Sequence, residues 1–141
     1  MKILAAVDGS DYTKRMLAYV AAHDEWLGAA HDYTVATVVP AVTPRAAAVL
    51  DRDVLKSYYD EEAEKVLKPV RTFFDKQIKA TVKFVAKVGH PDEQLAALVD
   101  KGGFDLLIMG SHGHGAMSNL VMGSVVTKVM AHTKVPVLVI R

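Results

Sequence analysis

Residues 110–124 read GSHGHGAMSNLVMGS, with glycines at 110, 113, 115 and 123. Residues that lack a Cβ let the backbone turn tightly and lie close to a bound group. The stretch follows a strongly apolar run, residues 106–109, and leads into a helical pattern that begins near Ser124. A Gly-rich turn between a strand end and a helix start is where α/β folds hold phosphates. Backbone N–H groups at residues 110–113 can cradle one phosphate. The N–H and hydroxyl of Ser124 can hold another at the positive end of the helix it opens. An ordinary long loop with flexible glycines is the alternative.

Two better-known nucleotide motifs are absent. A P-loop needs GxxxxGK followed by Ser or Thr, with the lysine reaching the outer phosphates. No such lysine follows these glycines. After the first apolar run there is Asp8-Gly9-Ser10 and no GxGxxG, so the dinucleotide fingerprint fails as well. What remains is G-x2-G-x9-G-S, made by Gly110, Gly113, Gly123 and Ser124. His112 and His114 could serve a metal only with a third ligand, for which Asp8 is a candidate. Phosphate contact or solvent exposure is simpler, and magnesium would then arrive with the nucleotide, held by phosphate oxygens and water. Asp8 can cap the first helix, or contact ribose or adenine, or share a bridging cation with phosphates that would otherwise repel it. Lys128 reads as a surface residue.

These residues need elements to position them. Residues 3–7, ILAAV, form a continuous apolar run, as in a strand buried on both faces of a parallel sheet. Ser10 or Asp11 can cap the helix that follows, whose stripe is Met16, Leu17, Val20 and Ala21. Residues 33–39, YTVATVV, suit a second strand. Residues 41–50, broken by Pro44, show no clean period and read as a long loop near the site. A helix should run from Asp51 or Asp53 toward Ile78, with a kink near Pro69. Residues 82–87 alternate as an edge strand does. Pro91 opens a short helix that Gly102-Gly103 ends. Phe104 to Met109 is the fourth strand. The last helix, from Ser124 to about His132, should turn Val125 and Val129 inward, flanked by Val126 and Met130. Residues 137–140, VLVI, close the chain as a fifth strand.

Alternating strands and helices with right-handed crossovers give a single α/β domain over residues 1–141. It is a three-layer α/β/α arrangement with a five-stranded parallel sheet. A central first strand makes the strand order 3-2-1-4-5, which sets Asp8 beside Gly110 at the topological switch. The fifth strand then lies at an edge. Its four large apolar residues, Val137, Leu138, Val139 and Ile140, favour pairing with a second copy about a two-fold axis.

Composition narrows the classes. Of the 141 residues, 51% are hydrophobic, enough for one real core. Lys plus Arg number 17 and Asp plus Glu 16, a net +1 that lacks the excess positive charge of a general nucleic-acid binder. With no cysteine, disulfides and thiolate chemistry are excluded. The apolar start is too short for a signal or a membrane span, so a cytoplasmic protein is expected.

Taken together, ILAAVDGS, TVATVV, Gly89-His90-Pro91, FDLLIMGSHGHG and LVMGSVVTKVMAHTKVPVLVIR resemble the universal stress protein family, in its ATP-binding subgroup. The resemblance covers nearly the whole chain and implies the adenine nucleotide alpha hydrolase-like fold. The site it implies holds ATP, or AMP or ADP, with Mg2+. That site comprises Gly110, Gly113, Gly123 and Ser124, with His112, His114 and Val125 among them. Ala6, Val7 and Asp8 join it from the first strand, and Val38 from the second. The resemblance also implies a homodimer through the last strand and a role in stress or growth arrest. His112 stands where the family often has arginine, so the loop carries weaker, pH-dependent positive charge. With no lysine in the loop, no arginine beside it and no oriented base, a regulatory binding protein is expected over a slow ATPase. A dimeric interaction protein with a vestigial site is the third reading, and the intact glycines weigh against it.

Overall fold

The structure is a computed structural model and describes residues 1–115 and 121–141. The strands are β1 (Lys2–Ala6), β2 (Asp32–Val39), β3 (Thr81–Val88), β4 (Leu106–Gly110) and β5 (Val137–Ile140). The helices are α1 (Asp11–Ala22), α2 (Asp24–Leu27), α3 (Pro44–Val49), α4 (Arg52–Phe73), α5 (Pro91–Gly102) and α6 (Ser124–His132). All strands are parallel, in the order β3-β2-β1-β4-β5. Because side chains alternate along a strand, β1 feeds two cores. Ile3 and Ala5 pack with Leu17, Val20, Leu67, Val70 and Phe74, from α1, α4 and the turn after it. Leu4 packs on the opposite face with Leu95 and Val99 of α5 and Val126 and Val129 of α6. The three-layer fold and its strand order are those expected.

Local structure departs from expectation at four places. Residues 41–50 are not all loop, since α3 forms within them. Thr43 is its N-cap, accepting from the Ala46 N–H at 3.2 Å, and Pro44 takes the first helical position. No residue of α3 is buried, so no apolar period announces it. The long helix carries Pro69 inside α4, and its last stretch toward Ile78 is a π turn over Phe74–Ile78 ended by left-handed Lys79. At the start of α1, Ser10 is the N-cap residue but its side chain makes no capping bond. Asp8 holds that turn instead, accepting from the Ser10 N–H at 2.9 Å and the Thr13 hydroxyl at 3.0 Å. In α6 the buried pair is Val126 and Val129, whereas Met130 is exposed and Val125 is half-buried. Val125 packs against the core from its edge and also lines the cleft described below, so of the four expected residues only Met130 faces solvent.

Tyr33 is fully buried, its ring edge-on to Phe74 at 5.2 Å and its hydroxyl donating to the Leu27 carbonyl. Burial pushes its phenol pKa up to about 12. Tyr33→Phe leaves that carbonyl unpaired, and chemical denaturation should show a loss of about 1–3 kcal/mol. An unchanged midpoint would mean water replaces the hydroxyl.

Candidate functional site

β1 pairs with β2 on one side and β4 on the other, with Ala6 level with both Ala36 and Met109. Beyond these ends the chain leaves β1 for α1 on one face, and α6, which follows β4, packs on the other. Such a divergence opens a crevice at the carboxyl ends of the strands. Here it is a cleft of about 690 Å³, within the range usual for small-molecule sites, about 300–1,000 Å³. Its inner wall is apolar, formed by Ala6, Ala36, Val38, Leu95, Met109 and Val126. Its other end is backbone-rich, formed by Asp8, Gly9, residues 110 and 112–115, and Gly123-Ser124. Every candidate site residue lines this cleft: Ala6, Val7, Asp8, Val38, Gly110, His112, Gly113, His114, Gly123, Ser124 and Val125. The middle of the glycine segment, residues 116–120, lies outside the described residues.

The glycines meet specific neighbours. A Cβ on Gly110 would lie 2.7 Å from the Tyr12 Cβ, so this glycine lets α1 pack against the end of β4. A Cβ on Gly113 would lie 2.6 Å from Asp8 Oδ2. Gly113 does not have a positive φ, so closeness to that carboxylate, and not backbone conformation, demands a glycine there. The Gly123 N–H donates to the Ser111 carbonyl at 2.7 Å, and a Cβ on Gly123 would stand 3.0 Å from that same oxygen. Ser111 in turn donates its own N–H to the Ile140 carbonyl at 2.7 Å. The two ends of the segment are thereby fastened together and to β5. With glycine as its N-cap, α6 begins without a side-chain cap. Its first-turn N–H groups have no intrahelical acceptor, which suits an anion.

Asp8 is expected beside Gly110 and stands within reach of Gly113. Its Oδ1 is engaged by Ser10 and Thr13, while the Thr13 hydroxyl accepts from the Asp8 and Gly9 N–H groups at 3.0 and 3.2 Å. The Asp8 carbonyl lies 2.7 Å from His114 Nε2. A carbonyl only accepts, so Nε2 carries the proton in that bond. His112 Nδ1 lies 2.8 Å from the hydroxyl of fully buried Ser111. The His112 ring sits 5.0 Å from that of Tyr12, over which the Arg15 guanidinium stacks at 4.9 Å. The imidazoles thus have separate partners. Among the described residues, no group of three or more His, Asp or Glu side chains could hold a metal ion.

Some lining residues escape sequence reasoning. Glu62, Lys65 and Val66 come from α4, Thr13 from α1 and Pro40 from the end of β2. Their spacing marks Glu62 and Lys65 only as an i,i+3 pair on a helix surface. That this surface faces the cleft follows from helix packing.

The fold and cleft define a doubly wound α/β protein with a glycine-rich loop at its switch point. The chain belongs to the universal stress protein family, whose profile matches residues 1–141. It is 31% identical over 152 residues to the universal stress protein in the QAH/OAS sulfhydrylase 3′ region of Thermus aquaticus, covering 99% of this chain and 97% of that one. It is also 31% identical over 87 residues to universal stress protein MJ0577 of Methanocaldococcus jannaschii, an alignment spanning 62% of this chain and about half, 53%, of that protein. The MJ0577 structure superposes with a TM-score of 0.79 at 26% identity, covering 99% of this chain and 94% of that one. The universal stress protein of Archaeoglobus fulgidus in complex with dAMP shares the fold, with TM-score 0.69 and 21% identity, covering 100% of this chain and 98% of that one. Among the described residues, no helix is long and apolar enough to cross a membrane.

Proposed function

We propose that this chain is an ATP-binding regulatory protein of the stress response, which binds adenine nucleotide in the cleft between β1 and β4. The observation that carries this reading is the division of the cleft. Its lining joins an apolar wall able to take a flat base to a fastened glycine loop and an open helix start able to take phosphates. Proteins of this fold were solved with cAMP, dAMP and AMP, which supports a purine nucleotide as the ligand class. The residues fit that ligand. Gly110, Gly113, Gly123 and Ser124 would hold phosphates, with His112 and His114 beside them. Ala6, Val7, Val38 and Val125 would hold the base and sugar, and Asp8 would take a ribose hydroxyl or a magnesium ion carried on the phosphates. Asp8 Oδ1 holds the turn into α1, which leaves Oδ2, beside Gly113, for that contact. The protein would act as a homodimer through β5, in the cytoplasm.

Nucleotide extraction from the purified protein, with calorimetry for ATP, ADP and AMP, tests this directly. Micromolar binding with no hydrolysis over hours is expected, and absence of any adenine-nucleotide affinity would defeat the proposal. Ser124→Ala should weaken ATP binding by roughly 10- to 150-fold, the equivalent of one hydroxyl bond to a charged phosphate, about 1.5–3 kcal/mol. A change below about twofold would restrict the Ser124 side chain to the helix start.

A further inference from the structure

One wall of the cleft lies outside the glycine motif. Glu62, Lys65 and Val66 stand at i, i+3 and i+4 on α4, on one side of the helix, and all line the cleft. Val66 shows how near that wall is: a Cβ on Gly9 would lie 3.4 Å from Val66 Cγ2 and 3.9 Å from His114 Nε2. The face of α4, the Asp8-Gly9 turn and the glycine loop therefore meet at one end of the cleft. The ionisable residues lining it are Asp8, Glu62, Lys65, His112 and His114. Among these described residues Lys65 is the one permanent cation. Its Nζ lies 2.7 Å from Glu62 Oε1, and the lysine side chain is 70% exposed. The other ion pairs of α4, Lys56 with Asp60 and Arg71 with Glu64, have no part in the cleft lining. A solvated pair of this kind is weak, so changing partner costs little. A polyphosphate entering between the carboxylates of Asp8 and Glu62 would draw a nearby mobile cation toward itself.

We infer that Lys65 is a specificity-determining residue that senses phosphate charge, held in reserve by Glu62 and passed to the polyphosphate, so that the cleft favours adenine nucleotides with more phosphates. This inference rests on the nucleotide reading of the cleft. It makes Glu62 a brake, since it competes for Lys65 and repels the ligand.

Calorimetry with ATP, AMP and adenosine on the wild type, Lys65→Met and Glu62→Gln tests it. Lys65 is exposed and Glu62 half-buried, neither belongs to a core, and the new residues are good helix formers, so the fold should persist. Lys65→Met should weaken ATP about tenfold and AMP less, leave adenosine unchanged, and flatten the salt dependence of ATP binding. Glu62→Gln should tighten ATP about threefold without affecting adenosine, and Lys65→Arg should retain most of the ATP affinity. If Lys65→Met weakens ATP and adenosine alike, or leaves ATP unchanged while the wild type binds it, this inference alone is overturned. A wild type that binds none of the three ligands overturns the nucleotide reading and this inference together.

Discussion

Gly113→Val should abolish ATP binding, lowering affinity by at least about 100-fold, while the protein stays folded. The new Cβ would fall 2.6 Å from Asp8 Oδ2, well inside contact distance. Asp8 cannot easily yield, because Ser10 and Thr13 hold its other oxygen. The loop must then move away, and its donors leave the phosphate position. Losing two charge-assisted bonds, roughly 1.5–3 kcal/mol each, accounts for the fall. The collision lies at the cleft rim and not in either core, so circular dichroism and the melting temperature should change little. Gly113→Ala carries the same Cβ without the branched methyls and should be intermediate. Unchanged ATP affinity in a folded Gly113→Val protein would remove the loop from the phosphate site.

The second large effect is expected in assembly. Among the described residues β5 pairs with β4 along one edge only, so its other edge presents backbone donors and acceptors. Ile140 is buried, while Val137, Leu138 and Val139 are half-buried, Leu138 against one core and the two valines against the other. An antiparallel β5–β5 contact about a two-fold axis would pair both edges and cover what remains of these side chains. Full burial of such a side chain is worth about 1.5–3 kcal/mol relative to exposure, and the three half-buried residues would add a part of that each to the paired backbone edge, so a dimer at low micromolar concentration is expected in sedimentation equilibrium. Leu138→Asp and Val139→Lys should each shift it to monomer. Since both residues also touch the cores, the melting temperature of each variant serves as the control for folding. A wild type that sediments as a monomer would remove β5 as an interface.

The strands were legible in the sequence because four carry an apolar or β-branched run and β3 alternates with Lys83 and Lys87 as an edge strand does, and the glycine positions because so few residues can replace them. Sheet order followed from chirality and from the apolar character of residues 3–7. α3 carries a local signal, Thr43 followed by Pro44, but no apolar period, because the helix buries nothing. The π turn after Phe73 had no signal of its own. In α6 the apolar residues at 125, 126, 129 and 130 allow more than one inward face. Packing buries Val126 and Val129, leaves Val125 between the core and the cleft, and puts Met130 in solvent.

Local chemistry along the chain thus determined which residues form elements, where the backbone must come close to a group, and that Asp8 and Gly110 share one end of the sheet. Tertiary structure alone decided which atoms meet there. The demand for glycine at 113 arises from an aspartate more than a hundred positions earlier. The presence of Lys65 and Glu62 in the cleft arises from how α4 lies across β2. Neither leaves a trace in periodicity, because periodicity records which side of an element avoids water, whereas a site records which elements the folded chain brings face to face.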